Sequence, residues 1–178
     1  MRLILAGESF DQMIDQAQHR AFHLETEDQY LAAAEADSLR AWLADPRTDP
    51  GGDWFAPWAA QVRATVARRV AVQRVRIVSE PHTDYTRYLL ALAEHNRAAG
   101  EQIRYLPRAR ADPRDAVAED FWMLDDATVA YSVFDGAGYW IGAAVTEDPV
   151  LVGTAADIRD RVWSKSIPYG DYVIRWQE

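Results

Sequence analysis

The sequence predicts a mixed α/β fold in which N-terminal helices pack on a mixed sheet built from a βαβ unit and an antiparallel meander. Three observations carry this. "VAVQRVRIVSE" (residues 70–80) is rich in β-branched residues, and a helix-patterned stretch and a second short strand, "IRYLP", follow it. A strand, a helix and a strand in that order form a right-handed crossover between parallel strands in roughly 98% of cases. Next, "DFWMLDDATVAYSVFDGAGYWIGAAV" reads as an antiparallel meander, with Val129, Tyr131 and Val133 alternating against Ala130 and Ser132 and a hairpin turn at "DGAG" (residues 135–138). Lastly, most of the first 69 residues follow the helical period. A chain of 178 residues, 49% hydrophobic and 26% charged, suits one compact unit spanning residues 1–178. Residues 1–69 form its mainly helical part and residues 70–178 its mixed α/β part.

The elements follow from local signals. Ser9 with Gln12 fits a capping box, and Phe10, Met13, Ile14 and Ala17 then recur at helical spacing, so a short helix begins near residue 10. "AFHLETE" switches to period two, with Phe22 and Leu24 opposite His23 and Glu25, which predicts a short extended segment. Residues 27–44 return to the helical period, with Leu31, Leu39, Trp42 and Leu43 on the apolar side, and "DPRTDPGGD" (residues 45–53) is a loop. "WFAPWAAQVRATVARR" spaces Trp54, Trp58, Val62 and Val66 four apart, a helix that tolerates Pro57 only in its first turn. Thr83 caps the crossover helix and Gly100 ends it. "RARADPRDAVAED" is a polar connection. Thr154 and Asp157 form a capping box for the last helix, whose Ile158, Val162 and Trp163 face inward, and Pro168 ends it. "YVIRWQE" reads as a final edge strand.

Composition excludes several chemistries. There is no cysteine, hence no disulfide, no thiolate nucleophile and no usual structural zinc site. Lys165 is the only lysine among 19 basic residues, so no phosphate loop ending in Gly-Lys-Ser/Thr can be written. Arginine in place of lysine, with abundant alanine, points to a GC-rich genome such as an actinobacterial one. A net charge of −9 opposes the phosphate backbone, so no direct nucleic-acid partner is expected. The arginines of "RRVAVQRVR" and "RYLPRARADPR" are local exceptions. Where they alternate with apolar residues on a strand, they read as its solvated face. No apolar run reaches the ~20 residues of a membrane span, and "MRLILAGESF" is too short in apolar residues for a signal peptide, so a cytoplasmic location is expected.

"SEPHTDY" is the best candidate site. Glu80, His82, Thr83, Asp84 and Tyr85 lie where a strand ends and a helix begins, the place where open α/β sheets bind ligands and free helix N–H groups attract anions. His82 beside Glu80 or Asp84 could act in acid–base chemistry. The plainer reading is that Pro81 shapes a turn, Thr83 caps the helix and His82 lies on the surface. Arg104 in the next strand, or Arg108 just after it, could complete such a site with Tyr105. His19 and His23 are four apart, but the period-two stretch puts His23 in extended chain, and no third metal ligand is specified, so no metal and no cofactor are expected. Most of the seven tryptophans read as core. Trp54 and Trp58 read as core on their spacing, with a pocket or partner surface as the alternative. Asp125 and Asp126 interrupt the aromatic run and suit a tight turn, and Asp125 could line a pocket if that turn folds over the ligand-binding end of the sheet.

"FHLETEDQY", "WFAPWAAQVR", "VRIVSEPHTDYTRY", "NRAAGEQIRYLPR", "DFWMLDD" and "DRVWSKSIP" together resemble an actinobacterial family known only as domain of unknown function 6879. The resemblance covers nearly the whole chain. It implies a gene beside a helix-turn-helix regulator or a small partner protein, and it carries no activity and no catalytic residue across. The order of strand, helix, "AAGEQIRYLP", meander and Trp163 helix is also similar to the C-terminal half-domain of the phospholipase D-like superfamily. Active members of that superfamily use His-x-Lys with a downstream Asp. Here none of His19, His23, His82 and His95 has a lysine two residues later, which implies a fold without the catalytic motif.

The expected function is therefore a non-catalytic accessory or sensing protein that binds a protein partner, a helix-turn-helix regulator foremost, and is possible as a homodimer. A small-ligand pocket at the "SEPHTDY" end would accompany it. The alternatives are a small enzyme of specialised metabolism using His82 with Glu80 or Asp84, and one member of a toxin–antitoxin-like pair.

Overall fold

The computed structural model describes the backbone of residues 1–5 and 8–177 and the side chains of residues 1–5 and 10–175. The chain runs β1 (Arg2–Leu5), α1 (Glu8–Asp15), β2 (Arg20–Glu25), α2 (Ala36–Ala44), α3 (Gly52–Ala67), β3 (Ala71–Val78), α4 (Asp84–Ala99) and β4 (Gln102–Pro107). It continues through β5 (Phe121–Leu124), β6 (Thr128–Phe134), β7 (Trp140–Thr146), α5 (Pro149–Lys165), β8 (Ile167–Pro168) and α6 (Tyr169–Gln177). The strands form one sheet in the order β1-β7-β6-β5-β2-β3-β4-β8. β2, β3 and β4 are parallel, and the other pairings are antiparallel. Among the described residues no helix is long and apolar enough to cross a membrane.

The βαβ unit and the meander form as the patterning predicts. They do not meet directly, because β2 from the helical N-terminal part lies between them, pairing β3 on one side and β5 on the other. β1 is a further strand from residues 1–69, added to the edge of β7. Both halves of the chain thus build one sheet.

Alternation assigns each strand two faces. Phe22, Leu24, Val75, Ile77, Leu106, Phe121, Met123 and Val129 form one apolar face, covered by Ala155 and Val162 of α5. Ala21 and Val72 belong to the other face, which α1, α3 and α4 cover. On α4, Tyr85, Leu89, Leu92 and Asn96 recur at helical spacing and are buried. Thr83 Oγ1 accepts from Thr86 N to open α4, and Gly100 closes it in the left-handed region at φ 108°.

Four expectations are corrected. Residues 27–32 are not helical: a 3₁₀ turn at Ala33–Glu35 precedes α2, and Leu31 bridges to Tyr139 instead. α3 starts at Gly52, so Pro57 falls beyond the first turn, inside the helix. α5 is capped by Asp148, whose Oδ1 accepts from Val150 N at 2.9 Å and Leu151 N at 3.2 Å, with Pro149 as the first helical residue. Asp-Pro is the stronger start signal, since proline has no N–H to leave unpaired there. Thr154 is one turn inside the helix and donates to Val150 O. Residues 172–178, read as a strand, lie in α6 up to Gln177, because Tyr169, Tyr172 and Val173 fall at i, i+3 and i+4 and pack together against β3 and β4. The Ser9 cap lies outside the described side chains.

Candidate functional site

The "SEPHTDY" segment closes on α6. Tyr172 Oη donates to Glu80 Oε1 at 2.9 Å and lies 2.9 Å from His82 Nε2, while His82 Nδ1 is 3.1 Å from Thr86 Oγ1. Burial lowers the His82 pKa, against the pull of Glu80 and Asp28. Glu80 and His82 are therefore joined through a tyrosine from the end of the chain.

The other candidates disperse. Asp84 is exposed and pairs with Arg87 on its own helix. Tyr85 points away from His82, into the protein, and donates to Glu35. Arg104 takes the sheet face opposite Tyr105, with Nε 2.9 Å from Ser166 Oγ and its guanidinium 4.9 Å from the centre of the Trp163 ring. Arg108 fastens its loop to the ends of β2 and β3, donating to Thr26 O, Ala116 O (2.6 Å), Ser79 Oγ (3.2 Å), Ile77 O (3.3 Å) and Asp28 Oδ2 (3.4 Å). Asp125 lies at the opposite end of the sheet, where its carboxylate accepts from the backbone N–H groups of Gln18, His19 and Arg20 at the start of β2. Arg104 and Tyr105 lie on opposite faces of β4, so the two do not converge on one site with His82.

A cavity of about 310 Å³ lies instead between the sheet and the N-terminal helices. α3 supplies Trp54, Phe55 and Trp58; β5 supplies Trp122, β6 Phe134, β7 Trp140 and α1 Phe10. Tyr30, Leu31, Ala32 and Glu35 close it from the segment before α2, and α4 adds Tyr85, Leu89, Leu92 and Asn96. Trp54 and Trp58 are partly buried, pack against the core and also line this space. Such a volume and such apolar walls are typical of small-molecule sites.

The floor is charged. His23 and Glu25 on β2 and Arg74 and Arg76 on β3 project into it, and the two arginines are 8% and 4% exposed, not solvated as their alternation predicts. Arg74 Nε donates to Glu101 Oε1 at 2.6 Å and Nη1 donates to Glu25. Arg76 Nε takes the other oxygen of Glu25, and Nη1 reaches Leu89 O and Tyr105 Oη, each at 3.2 Å. Asn96 Nδ2 (2.6 Å) and Trp58 Nε1 (3.3 Å) complete Glu101. Such pairing is what permits the burial, because a lone charge there would carry a desolvation cost of several kcal/mol. Burial opposes ionisation of Glu25, but Arg74 and Arg76 outweigh it and hold its carboxyl well below the usual range.

Three further polar groups face the same space. His23 stacks on Trp122 with ring centres 4.3 Å apart, and its Nδ1 lies 3.5 Å from Glu25 Oε1 with no hydrogen bond. Burial, helped by Arg74 and Arg76 and opposed by Glu25, lowers its pKa to about 3, so the ring is neutral and a weak base. Glu35 and Asp120 are 6% and 5% exposed; Glu35 accepts from the Tyr85 hydroxyl, and Asp120 accepts from the Tyr30 hydroxyl and from Thr26 N and Oγ1, both at 2.8 Å. Burial raises both carboxyl pKa values against those hydrogen bonds, Asp120 to about 6. Among the described residues no group of three or more His, Asp or Glu side chains could hold a metal ion.

The sequence profile of a family described as domain of unknown function (DUF6879) matches residues 8–174. The chain belongs to that family. No curated protein matches this DUF6879 chain. Among solved structures it is similar to NucT from Helicobacter pylori, with a TM-score of 0.56 and 9% identity over 94% of this chain and 97% of that one. At that identity the likeness concerns the fold alone, and the fold of this DUF6879 protein is phospholipase D-like.

Proposed function

We propose that this chain is a non-catalytic sensing protein that holds a small, largely apolar molecule between the sheet and α3–α4 and passes its state to a protein partner. The observation that carries the reading is the aromatic cavity of about 310 Å³ above a charged floor whose arginines and glutamates are tied to one another. That floor positions rings and orients polar groups. It does not set a nucleophile beside a base, and the one histidine facing the cavity is held neutral. The partner half of the reading rests on the family resemblance, which favours a helix-turn-helix regulator encoded nearby.

The test is to purify the chain from its own host together with the regulator encoded beside its gene. Native mass spectrometry is expected to show one small molecule on the wild-type protein and none on Trp54→Ala, with the regulator retained by the wild type. Well-expressed protein that carries no molecule removes the ligand half of the reading, and failure to retain the regulator removes the partner half.

A further inference from the structure

Glu35 and Asp120 are buried carboxylates without a cation. Charges taken out of water are ordinarily paired or bound to a metal, and the two arginines of the same cavity are already matched by Glu25 and Glu101. Among the described residues neither Glu35 nor Asp120 has an ion-pair partner. The two carboxylates belong to one end of the cavity: their tyrosine partners, Tyr30 and Tyr85, have ring centres 6.1 Å apart, and the charge of Glu25 acts on both acids. Burial raises the pKa of both acids, the charge of Glu25 adds to it, and at Glu35 the charges of Arg74 and Arg76 offset it only in part.

A second observation is independent of these acids. Asn96 is 2% exposed and lines the cavity, and its Oδ1 has no hydrogen-bond partner. Its orientation is fixed, because a flipped amide would set Oδ1 against the Glu101 carboxylate that Nδ2 now meets at 2.6 Å. The wall of the cavity therefore holds an unfilled acceptor, and among the described residues two carboxylates without an ion-pair partner, beside aromatic rings whose negative faces favour cations.

We infer that the cavity takes a monocationic amine with a ring-sized apolar body: the aromatic walls hold the body, the ammonium lies at the Glu35–Asp120 end, and Asn96 Oδ1 accepts a further N–H or O–H from the ligand. This rests on the reading of the cavity as a ligand site and adds the sign of the ligand's charge.

Three probes of nearly equal shape separate the two claims: 3-phenylpropylamine, 3-phenylpropanol and 3-phenylpropanoate, titrated against the full chain by tryptophan fluorescence and calorimetry. The amine is expected to bind about tenfold or more tighter than the carboxylate, with the alcohol between them. In Glu35→Gln and in Asp120→Asn the preference for amine over alcohol is expected to fall while alcohol affinity persists, which also shows that each variant is folded. A carboxylate that binds as tightly as the amine overturns the inference and leaves the cavity reading standing. No binding of any probe up to about 10 mM, the range of a very weak ligand, overturns both.

Discussion

Arg74 and Glu101 form a buried ion pair at 2.6 Å that ties β3 to the start of β4 beneath the cavity. Glu101 is also the acceptor for Asn96 and Trp58, so one carboxylate orders a strand, a helix and a cavity wall together. Glu101→Ala leaves part of a buried guanidinium and two further donors without an acceptor. Breaking one partner of a buried pair costs about 3–5 kcal/mol, and urea unfolding is expected to show a loss of that order. A loss below about 1 kcal/mol, the level of an exposed pair, would mean that water reaches Arg74 freely.

The floor also sets a pH dependence. His23 has a folded pKa of about 3, below its ordinary value, so between about pH 3 and 6.5 the unfolded chain binds a proton that the folded chain does not. Stability therefore falls as pH drops through that window, by an amount on the order of 5 kcal/mol if the whole shift is expressed. Asp120, raised to about 6, acts oppositely: the folded chain holds a proton that the unfolded chain has lost, and stability rises as pH drops from about 6 toward 4. Urea midpoints measured between pH 7 and 4 should fall less steeply in His23→Asn and more steeply in Asp120→Asn than in the wild type. Parallel curves for all three proteins would refute both assignments.

The meander, the crossover and the Thr83 and Gly100 caps were legible because each is encoded within a few residues. The site was not, for a reason visible in β3. Arg74 and Arg76 alternate with Val75 and Ile77 as they would on a half-exposed strand, and only the position of β3 between two parallel neighbours removes its solvated face. A signal was available: His23 and Glu25 show the same alternation on β2, and a parallel sheet with helices on both faces forces such charges to pair across strands. In α6 a local strand pattern lost to packing, since Tyr169 and Tyr172 reach Tyr105 only from a helix, with the Tyr105 and Tyr172 rings stacked 4.8 Å apart. Glu80 and His82 were recognisable as neighbours, whereas their link through Tyr172 depended on that helix.

Asp125 and Asp126 both have positive φ, 52° and 57°, as the central residues of a turn in which Ala127 N donates to Leu124 O at 3.0 Å, within the three-residue connection between β5 and β6. Backbone preference alone makes glycine the better residue there. The Asp125 side chain argues otherwise, because it accepts from Gln18 N (2.8 Å), His19 N (2.7 Å) and Arg20 N (2.9 Å), and those donors, outweighing burial, lower its pKa. Hydrogen bonds to a charged group contribute about 1.5–3 kcal/mol each, against about 1 kcal/mol of relieved backbone strain. Asp125→Gly should therefore unfold at lower urea than the wild type and also lower than Asp125→Asn, which keeps an acceptor. Equal or greater stability of the glycine variant would show that the turn is held by backbone geometry alone.

Gly142 fixes how closely β1 can approach β7. It has φ 149°, and a Cβ built on it would lie 2.2 Å from Ile4 O and 2.9 Å from Leu5 Cα. Both contacts are to backbone, so no side chain can swing aside, and Gly142→Ala must displace the strand itself. Among the described residues β1 pairs with β7 alone and buries Ile4 as its one core residue, so it can detach without opening the rest of the sheet. Amide exchange in residues 2–5 is expected to lose its protection in Gly142→Ala while β2 and β3 keep theirs, with a stability loss of about 1–3 kcal/mol. Unchanged protection across residues 2–5 would mean that β1 is not held against β7 at this position in solution.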